Sequence, residues 1–157
     1  MKYVWYNTFP RVCLGFIEDD GVITNIFFDS GGTDGQTIKE TPLIKRASSQ
    51  IAEYFAGERT SFDFPISPSG TGFQKKVWDA VSTIPYGETR SYKEIAIQTG
   101  NPKAARAVGM ANNRNPIVIV IPCHRVIGHN GSLTGYGGGL DVKAYLLELE
   151  KERKPCV

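Results

Sequence analysis

Residues 117–121 form an unbroken aliphatic run between Asn115-Pro116 and Pro122-Cys123-His124-Arg125-Val126, and no other feature constrains the fold so tightly. An apolar run this short, bounded by prolines, predicts a fully buried strand. The chain therefore leaves the core at a fixed place, and it does so on a cysteine beside a histidine. A thiol is a strong nucleophile only as its thiolate, and free cysteine, with a pKa near ~8.5, is only a few per cent ionised at neutral pH. An adjacent imidazole can change that. The plain alternative is a buried cysteine beside a surface histidine.

The 157 residues, 41% of them hydrophobic, suit one domain of average size or two small ones packed together. No stretch approaches the ~20 apolar residues of a membrane helix, and no signal-type segment comes after Met1-Lys2. The expectation is a cytoplasmic protein, nuclear if the source is eukaryotic, with no membrane partner. Lys and Arg outnumber Asp and Glu by 18 to 16, and the net charge of +2 neither demands nor excludes a polyanion. Between residues 102 and 125, however, Lys103, Arg106, Arg114 and Arg125 occur with no acidic residue among them. Such a stripe is a candidate nucleic-acid surface or simply a solvated face. Cys13, Cys123 and Cys156 are widely spaced, no C-x-x-C pair occurs, and His124 and His129 are the only histidines. Neither a disulfide framework nor a metal site is expected, and no cofactor is implied.

The first 66 residues read as a small α/β unit, a small antiparallel sheet plus a helix. Strands are expected at 2–7, 11–18 and 22–29, with Asp20-Gly21 as a tight hairpin turn. A helix over 41–55 would have Thr41 as cap, Pro42 at its first position and Gly57 beyond its end, with Leu43, Ile44, Ala47, Ile51 and Phe55 facing the sheet. The turn-formers of 67–72 mark a boundary, which gives domains of 1–66 and 67–157. The second is helical: 73–84 carries Phe73, Val77, Trp78 and Val81 on one stripe, and Ser91 with Glu94 forms a capping box. Asn101 caps a helix to about residue 112 with Pro102 in its first turn, so two helices joined by a tight turn suggest a helix-turn-helix. Ala104, Ala105, Ala107, Gly109 and Ala111 make its second helix narrow. A normal helix is about 10–12 Å across and the DNA minor groove only about 6 Å wide, so trimming would allow close approach to a nucleic-acid backbone. Close helix packing inside the core is an equal alternative. A last helix is expected over 140–151 through Val142, Tyr145, Leu146 and Leu149.

Taken together, Gly72-Phe73-Gln74-Lys75-Lys76-Val77-Trp78, Ile84-Pro85-Tyr86-Gly87-Glu88-Thr89, Ser91-Tyr92, Ala105-Arg106-Ala107-Val108-Gly109, Asn115-Pro116, Ile121-Pro122-Cys123-His124-Arg125-Val126-Ile127, Gly135-Tyr136 and Gly138-Gly139-Leu140 resemble the 6-O-alkylguanine-DNA alkyltransferases. The resemblance covers essentially the whole second half. Residues 1–66 match more weakly, although their strand and helix pattern agrees with the family's ribonuclease-H-like first domain. The second domain would be mostly helical and winged helix-turn-helix-like.

The resemblance implies that Cys123 takes the alkyl group from the 6-oxygen of guanine in double-stranded DNA, reacting once. A thiolate suits attack at a saturated carbon. His124 would draw off the thiol proton through a bridging water, and Glu150 would orient and charge-stabilise the imidazole. Tyr92 would donate to the leaving base, and Asn115 would tie the helix-turn-helix to the active-site strand. The nucleotide must rotate out of the duplex. Arg106 would take its place in the stack, with Lys103, Ala104, Ala105, Ala107, Gly109, Arg114 and Arg125 as the remaining minor-groove contacts. Pro122, Val126, Tyr136 and Gly137 would line the base pocket. Many relatives carry a serine or another small side chain where Gly137 stands, which bears on tolerance for bulky alkyl groups. A monomer is expected, with cooperative assembly on DNA left open. A non-repairing sensor of alkylated bases and a Cys-His-Glu acyl hydrolase are the competing functions.

Overall fold

The computed structural model describes residues 1–29 and 36–153; Cys156 lies outside them. It divides into two compact units, Met1–Ser69 with Pro116–Val118, and Gly70–Asn115 with Ile119–Val157.

In the first unit, period-two side chains put Leu14 and Phe16 on one face of a sheet. Its strands are β1 (Lys2–Phe9), β2 (Val12–Asp19), β3 (Val22–Phe28) and β4 (Thr37–Ile38), in the order β3-β2-β1-β4. The first three pair antiparallel, but β4 runs parallel to β1, so the sheet is mixed rather than wholly antiparallel. A two-residue edge strand is too short to leave a periodic signature. Arg11, expected to open a strand, lies instead in the β1–β2 turn with φ 69°. Asp20 and Gly21 have φ 51° and 80°, the left-handed pair that a two-residue hairpin turn needs.

Helix α1 (Pro42–Phe55) covers this sheet. Thr41 caps it, its hydroxyl accepting from the Ile44 N–H at 3.1 Å and donating to Glu18 at 2.6 Å. Ile44, Ala47, Ile51, Tyr54 and Phe55 are buried with Val4, Phe9, Leu14, Phe16, Ile23, Ile26 and Phe64. The rings of Phe9 and Phe55 stack at 5.5 Å.

Two short segments occupy the outer edge of β3. Ile23 donates to the Pro65 carbonyl at 3.0 Å and accepts from the Ser67 N–H at 2.9 Å; Ile26 does the same with Pro116 and Val118, at 2.9 and 3.0 Å. The aliphatic run is therefore buried but is not one strand. Ile117 and Val118 pair with β3, and Ile119, with φ 73°, turns the chain. A β-branched residue rarely adopts that backbone, so no propensity argument anticipates the turn.

The second unit contains α2 (Gly72–Val81), α3 (Tyr92–Gln98), α4 (Ala105–Asn113) and α5 (Leu140–Arg153), with β5 (Arg90–Ser91) parallel to β6 (Val126–Ile127). Capping boxes open α2, through Thr71 and Gln74, and α3, through Ser91 and Glu94. Phe73 is 40% exposed and leaves the core stripe to Val77, Trp78, Ala80 and Val81. Asn101 does not cap α4. Its side chain accepts from the Lys103 N–H at 3.1 Å in a local turn, and α4 begins after Ala104 without a side-chain cap. Helices α2, α3 and α4 pack on one another, and the buried Trp78 indole donates to the Ala111 carbonyl at 2.9 Å. Trp78→Phe should remove that bond and leave a void, lowering stability by about 1–3 kcal/mol. Urea unfolding reads the change; a loss below about 0.5 kcal/mol would show that the tie contributes nothing.

Candidate active site

A single 3-10 turn, Cys123–Arg125, delivers three consecutive side chains of this unit, all buried. Pro122 precedes it, and Arg125 donates back to the Pro122 carbonyl at 2.9 Å. Three residues per turn splay neighbouring side chains by about 120° rather than to opposite faces, which replaces the extended geometry that an apolar strand would impose. Cys123 and His124 thus point into different surroundings.

His124 Nε2 lies 2.5 Å from Glu150 Oε2. Arg125 Nε donates to Oε1 at 2.8 Å and Nη2 to Oε2 at 3.1 Å, and the Gly87 N–H donates to Oε1 at 3.1 Å. Arg125 Nη1 reaches the Ile84 carbonyl at 2.8 Å, and the guanidinium lies 5.7 Å from the Tyr86 ring centre. Burial works against the Glu150 charge, but the hydrogen bond from His124, then the hydrogen bonds and charge of Arg125, hold its carboxyl well below the usual range. Burial pushes the His124 ring down; Glu150 opposes this, while the charges of Arg125 and Lys143 reinforce it. A neutral ring beside an ionised carboxylate keeps its hydrogen on Nε2, so Nδ1 carries the lone pair.

Burial pushes the Cys123 thiol up to about 11, against the hydrogen bond of the Asn115 side chain, the charge of Lys143, and the backbone N–H groups of Cys123 and His124. Asn115 Nδ2 also donates to the Ile121 carbonyl at 2.7 Å, bracing the segment that leads to the cysteine. The Tyr136 hydroxyl is buried, and burial, then the charges of Cys123 and Glu150, keeps it protonated well above its ordinary range. Gly137 is exposed in the turn closed by the Gly139 N–H on the Tyr136 carbonyl at 2.9 Å.

Tyr92, the first residue of α3, exchanges two hydrogen bonds with Thr134. Its hydroxyl accepts from the threonine hydroxyl at 3.0 Å and donates to the carbonyl at 3.3 Å. Tyr92 and Thr134 line a cavity of about 860 Å³ with Lys93, Pro102, Ala105, Arg106, Gly109, Asn113, Gly128, His129 and Gly135. Arg106 and Ala107 are exposed on α4, Ala104, Ala105 and Gly109 are half-buried, and Lys103 and Arg114 are exposed at its two ends. Ala111 is the member of the small-residue series that is buried against α2.

The structure corrects one assignment. Arg125 belongs by sequence with the DNA-facing cations, but it is 6% exposed and its guanidinium is committed to Glu150 and Ile84. It also adds two residues that sequence reasoning misses. Lys143 is fully buried on α5 and donates to the Val126 carbonyl at 2.6 Å and the Thr134 carbonyl at 2.9 Å. Its signal is spacing, since Lys143, Leu146 and Glu150 at i, i+3 and i+7 share one helix face. Asn112, 2% exposed, donates to the Cys123 carbonyl at 3.1 Å. Among the described residues, no group of three or more His, Cys, Asp or Glu side chains could hold a metal ion, and no helix is long and apolar enough to cross a membrane.

A sequence model described as 6-O-methylguanine DNA methyltransferase, DNA binding domain, matches residues 72–152. The chain is 61% identical over 113 residues to the methylated-DNA–protein-cysteine methyltransferase of Methanosarcina acetivorans, covering 72% of each chain. With the constitutive methylated-DNA–protein-cysteine methyltransferase of Bacillus subtilis it shares 57% over 114 residues, 72% of this chain and 69% of that one. The crystal structure of the Mycobacterium tuberculosis O6-methylguanine methyltransferase matches with a TM-score of 0.92 at 47% identity, over 100% of this chain and 97% of the other. That of Mycobacterium tuberculosis OGT in complex with DNA matches with a TM-score of 0.90 at 49% identity, over 98% and 96%. With a family-specific match across half its length and relatives well above half identical, the chain belongs to the 6-O-methylguanine DNA methyltransferase family.

Proposed function

We propose that this protein repairs alkylated DNA by direct reversal, moving a methyl or other alkyl group from the 6-oxygen of guanine to Cys123 in one irreversible event. The observation that carries this reading is a buried thiol whose neighbour in sequence, His124, lies with its Nε2 2.5 Å from the buried Glu150 carboxylate. Relatives named for moving a methyl group from DNA to a protein cysteine support it.

Burial pushes the Cys123 thiol up to about 11, so at neutral pH it is protonated and proton removal must accompany attack. The Cys123 Sγ forms a bond to the saturated carbon as the C–O bond breaks, and that electron pair leaves with guanine. The thiol proton passes through a water to His124 Nδ1. Tyr92 protonates the departing base and is reprotonated from the imidazolium through solvent, so the net exchange is hydrogen for alkyl. The 3.3 Å bond from Tyr92 to Thr134 is long enough to be redirected at little cost. A thioether offers water no electrophilic carbonyl, so each molecule reacts once.

The α3–α4 pair acts as the helix-turn-helix of a winged second domain, 67–157, and docks in the minor groove as a monomer. The first domain, 1–66, is of the ribonuclease-H-like type. Arg106 enters the stack in place of the extruded nucleotide, and Lys103 and Arg114 contact phosphates. Tyr92 and Arg106 line one cavity, which supports their acting on the same nucleotide. Pro122, Val126, Tyr136 and Gly137 frame the base, and the Val126 carbonyl retains a second lone pair beside the one given to Lys143.

Duplex DNA carrying one labelled 6-O-methylguanine should transfer one methyl to the Cys123 peptide, saturating at one equivalent by intact-protein mass. Repeated turnover of an ester substrate would make the protein a hydrolase, and tight binding without a mass change would make it a sensor. A Cβ at Gly109 would lie 3.8 Å from the Tyr92 ring, ordinary contact, so Gly109→Ala should leave the fold intact or stabilise it by about 0.5–1 kcal/mol. The same change should weaken duplex binding several-fold in an anisotropy titration. Unchanged affinity would remove the close-approach account of this helix.

A further inference from the structure

We infer that Arg125 is a positioning residue of the transfer reaction: its fork on Glu150 fixes the oxygen that faces His124 and keeps the imidazole uncharged, with Nδ1 as the lone-pair nitrogen that takes the thiol proton. This rests on the reading of Cys123 and His124 as nucleophile and base.

The geometry is a full set of acceptors. Glu150 is 1% exposed, and each carboxylate oxygen takes two donors: Arg125 Nε and the Gly87 N–H on Oε1, Arg125 Nη2 and His124 Nε2 on Oε2. Oε1 is thus fully occupied by the fork and the backbone, which leaves Oε2 alone for the ring. Arg125 is itself anchored by the Ile84 carbonyl and lies over Tyr86, so the fork cannot swing away with Glu150. A lysine in its place would offer a point charge and no planar fork.

Charge balance gives the second half of the inference. Buried clusters are stable when they sum to zero. Around the carboxylate, guanidinium plus carboxylate plus neutral imidazole sums to zero; with the Lys143 ammonium already buried on the Val126 and Thr134 carbonyls, an imidazolium in the resting protein would add a further uncompensated positive charge. Without Arg125, carboxylate plus imidazolium becomes the neutral pair, and the ring would be charged before the thiol could give up its proton. The other groups bearing on the ring agree in sign. The Lys143 ammonium on α5 also disfavours a charged ring, Cys123, Tyr86 and Tyr136 are neutral at rest, and the buried side chains of α2 are apolar.

Below the pKa of His124 the ring already holds a proton and cannot accept another, so transfer falls on the acid side; losing Arg125 raises that pKa and moves the fall to higher pH. The test measures methyl transfer from duplex 6-O-methylguanine over roughly pH 5 to 9 for the wild type, Arg125→Met and Arg125→Lys, beside NMR titration of the ¹⁵N-labelled His124 ring. The wild type should show a neutral ring with hydrogen on Nε2 at neutral pH. Arg125→Met should move both the ring titration and the acid limb up by about one unit or more, a roughly tenfold loss of rate on that limb. Arg125→Lys should lie between. An imidazolium in the wild type at pH 7, or an acid limb and ring titration unmoved in the variants, would overturn the inference. If Arg125→Met does not fold, Arg125→Lys and the wild-type titration still decide it. Failure of the wild type to take any methyl would instead remove the proposed function, while the ring titration would continue to report on Arg125.

Discussion

A carboxylate taken out of water must be surrounded by donors or give up its charge, and Glu150 keeps its charge because four donors converge on it. Those donors come from the turn after α2, which supplies the Gly87 N–H, and from the 3-10 turn, which supplies Arg125 and His124. The carboxylate itself arrives on α5. Three separate stretches of the second unit are thus fixed by one group with no freedom to move. Removing a single partner from such a buried pair costs about 3–5 kcal/mol, comparable with the whole stability of many small domains. The His124–Glu150 pair and the packing of the unit are therefore the same structure seen twice, and the pair cannot loosen without the fold loosening too.

The thiol sits under opposing influences. Burial disfavours its ionised form, while Asn115, Lys143 and two backbone N–H groups of the 3-10 turn favour it. The balance leaves it protonated at rest.

Much of this is legible in the sequence because local rules are obeyed. The Asp20-Gly21 turn, the Thr41-Pro42 start of α1, and the Ser91/Glu94 box each have a mechanism that acts within a few residues. The Thr71/Gln74 box obeys the same rule, but the turn-formers around it resemble a linker and mask it. The features that escape depend on distant partners. Nothing near Arg125 in the sequence announces that Glu150, 25 residues later, will claim it, so its charge reads as a surface cation. Lys143 is hidden for the same reason: a charged residue on the inner face of α5 contradicts the apolar stripe that periodicity seeks, and only the carbonyls of Val126 and Thr134 make its burial tolerable. The left-handed Ile119 breaks a propensity rule outright, and such breaks are invisible until the chain is seen to turn.

The outer edge of β3 bears on how the polypeptide can be divided. Pro116–Val118 belongs to the first unit although the residues on either side of it belong to the second. A fragment ending at Ser69 would keep the Pro65 and Ser67 bonds to Ile23 but would lose both backbone bonds of Ile26, baring part of an apolar strand rim. Such a fragment would tend to associate through that rim, and a synthetic peptide spanning the missing residues would be its natural complement. The two halves are therefore not modules that recombination could exchange at one crossover point, because the boundary is passed three times by the chain.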